Sequence, residues 1–341
     1  MKNEETSFFE NWQISSTQKA RPLQASLELT NKCNERCIHC YIPEFKDDPE
    51  RVLSLSDWHK VLVELRSAGV LYIVLMGGEA MLNPLFWEIL HKCNELGFHT
   101  SMISNGLKLQ KKETVQRLIE SGLKRVTFSL YSLEPKTHEL MTSVRGSFQK
   151  TMSAIQLCKS EGLRVGINSL LTTVNVHSIF ELQDWCVKNE LEMRIDVTIT
   201  SKLNGDLSPT RLRVSKKQLE WFYKTQTEKY DRAKPKSKIE LGSDHVCNAA
   251  KGKCAVTAYG ELLPCIEIRK PLGNLVTQSF SEAWNGTEAQ KWRNIKYDNL
   301  NKKSAGGFCD HCPGMANNKL GNSYEEITFS VMLSEVKEKY S

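Results

Sequence analysis

The sequence feature that most constrains this chain is a group of three closely spaced cysteines, Cys33, Cys37 and Cys40. They follow an apolar run over residues 23–30 that predicts a first strand. Any disulfide scheme would leave one of the three unpaired, but three thiolates can hold three corners of a [4Fe–4S] cluster whose fourth iron lacks a protein ligand. An open metal position is typical of catalytic sites. The alternative is a chance group of thiols or a partial zinc site, although zinc favours C-x2-C pairs and four ligands.

Composition narrows the class of protein. The 341 residues are 40% hydrophobic and 25% charged, as in ordinary globular proteins. No apolar run approaches the length of a membrane span, and the polar N-terminus lacks a secretory signal. Eleven cysteines in such a chain favour metal ligation over disulfides and predict a cytoplasmic location. A net charge of +6, spread along the chain, gives no reason to expect nucleic acid or a membrane as a partner.

Predicted strands and helices alternate through the first 200 residues. Because the run over residues 70–76 is apolar throughout, it predicts a strand buried on both faces. Alternation of this kind indicates a parallel α/β architecture, but it does not separate an open doubly wound sheet from a barrel. Polar residues follow several strands, at the edge where α/β enzymes keep their active sites. The strands are predicted at residues 23–30, 70–76, 98–104, 125–130, 164–171 and 192–199, with intervening helices at 56–67, from 83, 114–120, 147–160 and 178–188.

The rest of the chain divides by composition. Five cysteines return after a polar, lysine-rich stretch, and the sequence between Cys254 and Cys265 predicts a hairpin around Gly260. A single helix is predicted over residues 280–292. The predicted segments are a loose arm (1–22), an α/β domain (23–200), a linker with a helix (201–240), a cysteine-rich domain (241–321) and a helical tail (322–341).

The C-x3-C-x2-C spacing, followed by Tyr41, resembles the radical S-adenosylmethionine (SAM) enzymes. The resemblance implies an α/β fold, a partial (β/α)6 TIM-type barrel. It also implies that Cys33, Cys37 and Cys40 hold a catalytic [4Fe–4S] cluster. One electron from that cluster would cleave SAM, and the resulting 5′-deoxyadenosyl radical would abstract hydrogen from a substrate.

The same resemblance suggests which residues hold SAM. Gly77-Gly78-Glu79 resembles the family's GGE motif, which binds the SAM amino group; Ala80 stands where proline is usual. Arg145 resembles the arginine that neutralises the SAM carboxylate, a task suited to a bidentate guanidinium. Further contacts to the cofactor are implied for Tyr41, Ser104, Asn105, Ser129, Asn168 and Leu171.

The C-terminal cysteines resemble those of the SPASM and twitch auxiliary-cluster domains. Because no cysteine follows Cys312, the resemblance is to the shorter twitch form with one auxiliary [4Fe–4S] cluster. Cys254 is the odd residue, either a ligand or a free thiol that returns a hydrogen atom to a substrate radical. A zinc ribbon is the alternative, since a C-x2-C pair also suits zinc. The cluster is expected to take four ligands from Cys247, Cys254, Cys265, Cys309 and Cys312.

The layout most resembles maturases of ribosomally made precursor peptides, which crosslink, epimerise or excise backbone. Alternatives are a radical SAM dehydrogenase or maturase acting on a small molecule or a sulfatase, and a non-catalytic iron–sulfur electron carrier. Intact Gly77-Gly78-Glu79 and Arg145 argue against the carrier. Because the first strand is predicted near Leu23, a separate leader-binding partner protein is expected. An electron donor such as flavodoxin or ferredoxin is expected too.

Overall fold

A mixed sheet organises the molecule in the computed structural model, which describes residues 8–230, 247–296, 300, 311–320, 323–324 and 328–340. Across these residues the sheet has nine strands, and six of them are parallel neighbours in the order in which they occur along the chain. The six are β1 (Gln24–Glu28), β2 (Tyr72–Met76), β3 (His99–Ser104), β4 (Leu123–Ser129), β5 (Arg164–Leu170) and β6 (Glu192–Asp196).

The sequential strand order distinguishes the two α/β architectures that the sequence left open. A doubly wound sheet reverses its strand order at a switch point, whereas a barrel adds each new strand beside the last. The strand order therefore confirms the barrel-type fold class. The connecting helices are α2 (Leu55–Ser67), α3 (Phe86–Glu95), α4 (Lys112–Glu120), α5 (Pro135–Thr142), α6 (Ser147–Ser160) and α7 (Ile179–Lys188).

Strand β2 corrects the prediction of a strand buried on both faces. Ile73 and Leu75 are fully buried, while Tyr72, Val74 and Met76 are only partly buried. Successive side chains of a strand point to opposite faces, so one face packs on the helices and the other is the inner face of the partial barrel. An apolar run does not reveal that the inner face stays partly accessible.

One helix prediction also changes, and one helix is additional to those predicted. Helix α2 begins after Ser54, not at Ser56, because Ser54 and Asp57 form a reciprocal capping box. Helix α5 was not predicted. It starts with Pro135 at its first position and has only three fully buried side chains, so it lacks a long apolar stripe.

The C-terminal region continues the same sheet. Strands β7 (Lys253–Val256) and β8 (Glu261–Leu263) form the predicted antiparallel hairpin, and β7 pairs in parallel with β1. A short strand, β9 (Gly273–Asn274), pairs with β8. The helix predicted over residues 280–292 is two helices, α9 (Phe280–Asn285) and α10 (Thr287–Arg293), which meet at Gly286.

Helices occupy both terminal regions. The predicted loose arm contains α1 (Phe8–Gln18), and the linker contains the expected helix, α8 (Lys216–Tyr230). Helix α11 (Pro313–Leu320) follows Cys312. The tail forms α12 (Thr328–Lys339), which packs on α8 and adds an ion pair between Lys216 and Glu335. None of the helices in the described ranges is long and apolar enough to cross a membrane.

Candidate active site

The three motif cysteines lie together on the loop that follows β1. Burial raises the pKa of the Cys33 thiol to about 11, and the nearby Glu79, Glu35 and Cys40 add smaller contributions to that shift. Burial also raises the pKa of Cys37 well above its ordinary value, and Glu35, Cys40 and Cys33 add to that shift. Buried thiols that oppose one another's ionisation become thiolates readily only beside positive charge, which iron supplies. The donor set therefore fits a cluster.

In the part of the chain that the structure describes, no three Cys, His, Asp or Glu side chains are placed to hold one metal ion. A cubane cluster has a different requirement, because each of three separate irons takes one thiolate. Cys33, Cys37 and Cys40 would each need to supply one thiolate to a different iron.

The cysteine loop is fixed by the end of α5, the helix that the sequence did not reveal. The backbone N–H groups of Arg36 and Ile38 donate to the carbonyls of Thr142 and Met141, each at 3.0 Å. Within the loop, Cys40 N donates to Cys37 O at 3.0 Å. Helix α5 therefore holds the backbone between Cys33 and Cys40.

Glu35, inside the motif, is a further site residue that the sequence analysis missed. Its side chain is buried, and Oε2 accepts a hydrogen bond from Cys37 Sγ at 3.4 Å. Oε1 is buried with no hydrogen-bond partner among the described residues. Burial raises the pKa of this carboxyl to about 7. An unsatisfied buried oxygen is costly, so it marks a position where a bound group would be close.

Gly77 and Gly78 allow the end of β2 to approach the cysteine loop. A Cβ on Gly77 would lie 2.4 Å from Thr30 O, and one on Gly78 would lie 2.3 Å from Lys32 O. The backbones are also bonded, since Gly78 N donates to Thr30 O at 2.7 Å and Glu79 N donates to Lys32 O at 2.8 Å. Only glycine fits this close contact.

Glu79 joins β2 to the end of β3. Its carboxylate is buried and accepts hydrogen bonds from Ser104 Oγ at 3.1 Å and from Asn105 N at 2.9 Å. Burial raises the pKa of Glu79, and these hydrogen bonds oppose the shift. Asn105 Nδ2 in turn donates to Asn34 Oδ1 at 2.6 Å. The structure therefore brings together Glu79, Ser104 and Asn105 beside the cysteine loop.

Ser129, the last residue of β4, is paired in register with Asn168 of β5. Nearby, the Tyr131 hydroxyl shares a 3.0 Å hydrogen bond with Nε2 of His39, a residue inside the motif. Burial raises the pKa of Tyr131 well above its ordinary value, and a hydrogen bond with Ser129 partly offsets this. Tyr131 thus ties the cysteine loop to β4. In the sequence, the only indication of Tyr131 is that an aromatic residue directly follows a predicted strand.

The remaining predicted cofactor residues lie in three different settings. Arg145 is exposed in the turn between α5 and α6. Leu171 is fully buried in a second core cluster with Ile179 and Phe180. Tyr41 donates from its hydroxyl to Glu28 Oε1 at 3.3 Å. Contact between these residues and SAM stays a prediction.

Three of the C-terminal cysteines, Cys247, Cys265 and Cys312, lie near one another although they are far apart in sequence. Burial raises the pKa of Cys312 to about 12, and the nearby Glu267, Cys265 and Cys247 add to the shift. Cys309 lies outside the described residues. Cys254 is on β7, in register with Ala25, and its Sγ faces the core beside Gln24 O at 3.9 Å. That placement fits a small core side chain better than a ligand or a hydrogen donor.

The two cysteine groups lie toward opposite ends of β1. Cys33 follows its C-terminal end. Strand β8 runs antiparallel to β7, and β7 is parallel to β1, so Cys265, which follows β8, lies toward the N-terminal end of β1. The inner faces of the parallel strands lie between them.

Comparisons with known proteins agree with this geometry. The chain matches the model "Radical SAM superfamily" over residues 27–186 and the model "Iron-sulfur cluster-binding domain", named SPASM, over residues 247–313. Together the two matches cover more than half of the chain. They include all three motif cysteines and all five C-terminal ones.

Two relatives illustrate the range of proteins that the chain matches. An AdoMet-dependent heme synthase of Methanosarcina barkeri is 24% identical over 343 residues, 91% of this chain and 96% of that protein. A PqqA peptide cyclase of Methylorubrum extorquens is 27% identical over 257 residues, 72% of this chain and 66% of that protein.

Among solved structures, Streptococcus suis SuiB bound to precursor peptide SuiA superposes with a TM-score of 0.69. The two are 18% identical, and the match covers 97% of this chain and 83% of that one, which shows a shared fold. With three motif thiols on one loop, a glycine contact beside them and a second cysteine group, the chain belongs to the radical SAM superfamily. It is an enzyme that uses SAM and iron–sulfur clusters, with a C-terminal SPASM domain.

Proposed function

We propose that this radical SAM enzyme modifies a peptide and that its substrate is a ribosomally made precursor peptide. When bound, the cluster and SAM supply a 5′-deoxyadenosyl radical that abstracts a substrate hydrogen. The similarity to a PqqA peptide cyclase supports a peptide substrate. The fold shared with a protein that was solved bound to a precursor peptide supports it as well.

The observation that carries the proposal is the partly accessible inner face between two cysteine groups at opposite ends of β1. An extended substrate along that face would meet both groups. An exposed apolar side chain lies beside each cysteine group. The N–H of Leu203 donates to Tyr41 O, next to Cys40, and Ile266 follows Cys265. Both side chains are 37% exposed. Such side chains suit a peptide with apolar residues.

The roles proposed for the site residues are those that the family resemblance implies. Cys33, Cys37 and Cys40 would hold the catalytic cluster, and four of the C-terminal cysteines the auxiliary one, with Cys247, Cys265 and Cys312 the favoured members. Gly77, Gly78, Glu79 and Arg145 would bind the amino-acid part of SAM. Ser129 and Asn168, on the inner face, would contact its ribose and adenine side. We further propose an electron donor such as flavodoxin or ferredoxin, a separate leader-binding protein and a cytoplasmic setting, where thiols stay reduced.

The test presents reconstituted enzyme and SAM with short peptides encoded beside its gene, followed by mass spectrometry. Loss of two hydrogens indicates crosslinking or oxidation, uptake of one deuterium from heavy water indicates epimerisation, and loss of a residue indicates backbone excision. The matched control is the enzyme with Cys33, Cys37 and Cys40 changed to Ala.

A small-molecule substrate is the second candidate, because the heme synthase relative matches 91% of the chain. The same assay with porphyrin carboxylates separates the two. Substrate-dependent 5′-deoxyadenosine with a porphyrin and none with any peptide would refute the peptide proposal.

A further inference from the structure

We infer that Arg269 is a positioning residue that fixes the catalytic cysteine loop relative to the auxiliary cysteine group, acting through Glu28 and Tyr41. The two terminal nitrogens of Arg269 donate to the two carboxylate oxygens of Glu28, each at 2.9 Å. The Tyr41 hydroxyl donates to Glu28 Oε1 at 3.3 Å. Glu28 is therefore shared between an arginine and a tyrosine from distant parts of the chain.

The positions of the three residues give the contact its significance. Glu28 ends β1 and leads into the loop that carries Cys33, while Tyr41 directly follows Cys40. Arg269 lies on the segment that follows Cys265. The three side chains thus connect both ends of the catalytic loop with the backbone beside an auxiliary cysteine.

The ion pair is buried and bidentate. The Glu28 side chain is 5% exposed and that of Arg269 is 20% exposed. Bidentate arginine–carboxylate pairs fix geometry as well as supply energy, and buried pairs are little screened by salt. Removing one partner leaves an uncompensated buried charge, which destabilises its surroundings far more than removing an exposed pair does.

Precision at this point matters for radical chemistry. Reacting groups must be held to within about 0.5 Å of the productive geometry, by side chains that do not themselves touch substrate. Pairing of β1 with β7 already joins the two regions through backbone, and the contact of Arg269 with Glu28 adds a side-chain link at the start of the cysteine loop. The inference rests on the SAM and cluster assignment, not on the identity of the substrate.

The experiment compares Arg269→Met with Arg51→Met in the reconstituted full chain. Arg51 pairs with Glu261 at 3.1 Å, but their side chains are 55% and 30% exposed, so this pair is the exposed control. Reduced samples are examined by electron paramagnetic resonance with and without SAM, because only the cluster with an open iron changes its signal on SAM addition. We expect Arg269→Met to alter that SAM-dependent signal and to speed chelator-driven iron loss from that cluster about tenfold, as an unpaired buried charge would. Arg51→Met should match the unmodified enzyme.

A second pair of variants separates positioning from general damage. Glu28→Gln combined with Arg269→Met removes both charges, so it should retain iron better than Arg269→Met alone. Arg269→Lys keeps the charge without the fork and should give a smaller change in the same signal. The inference is overturned if Arg269→Met changes only the SAM-insensitive cluster, if it matches Arg51→Met, or if the two charge removals simply add.

Discussion

The catalytic and auxiliary cysteine groups differ in how the chain assembles them. Cys33, Cys37 and Cys40 lie within one loop, whose backbone is pinned by α5 and by the end of β2. The auxiliary group draws Cys247, Cys265 and Cys312 from segments joined only through the fold. Local spacing therefore specifies the first group, while the second exists only once β7 and β8 have joined the sheet.

The largest expected effect tests that difference at the catalytic loop. Changing Cys33, Cys37 and Cys40 to Ala should abolish SAM cleavage and remove about four of about eight irons per chain, since each cluster holds four. The auxiliary group should keep its iron, because its ligands come from other segments. Iron content and 5′-deoxyadenosine formation are the measurements. Cys93→Ala, which removes a core thiol from α3, is the control and should keep all iron. Any 5′-deoxyadenosine from the triple variant would contradict the assignment.

SAM binding should show the next largest effect. Glu79→Gln and Arg145→Met each remove one charge expected to face the amino-acid part of SAM, so each should weaken binding by about 1.5–3 kcal/mol, the range for hydrogen bonds to charged groups. Calorimetric titration of SAM measures this. Arg164→Met is the control, because Arg164 begins β5, at the end of the strand away from Asn168 and the cysteine loop, and pairs with Glu192 of β6. Unchanged affinity in both site variants would show that Glu79 serves only Ser104 and Asn105.

The contact between β2 and the cysteine loop sets the third effect. Gly78→Ala would place a Cβ 2.3 Å from Lys32 O, a backbone atom that cannot rotate away. Forcing a methyl group into a filled space costs about 1–3 kcal/mol, so the free energy of unfolding should fall by about that amount. Denaturant unfolding measures it. Gly286→Ala, whose nearest contact would be 3.2 Å, is the control and should lose much less. Equal losses would mean that the close approach is not what requires glycine.

The same contrast explains how much was predictable. The cysteine spacing and strand–helix alternation fixed the family and the six parallel strands, because both are local patterns. The role of helix α5 was not predictable because its backbone carbonyls accept hydrogen bonds from Arg36 and Ile38, and no side-chain pattern encodes such contacts. The role of Tyr131 was not predictable either, because its partner His39 is distant in sequence. Glu28 and Arg269 are likewise separated by most of the chain, and only the fold unites them.

Cys254 gives the smallest expected effect and the sharpest view of the auxiliary group. The sequence allowed it to be a ligand or a hydrogen donor, but its side chain lies in the core on β7, opposite Ala25. Cys254→Ala should therefore keep about eight irons per chain, as two intact clusters require. It should lower stability only slightly, because one small buried group is removed.

Cys265→Ala, the matched variant, should lose about four irons while the SAM-dependent signal of the catalytic cluster survives. Iron analysis and the yield of quenched substrate radical decide among the roles. Loss of auxiliary iron in Cys254→Ala would make Cys254 a ligand. Full iron with a substrate radical left unquenched would make it the hydrogen donor, despite its burial.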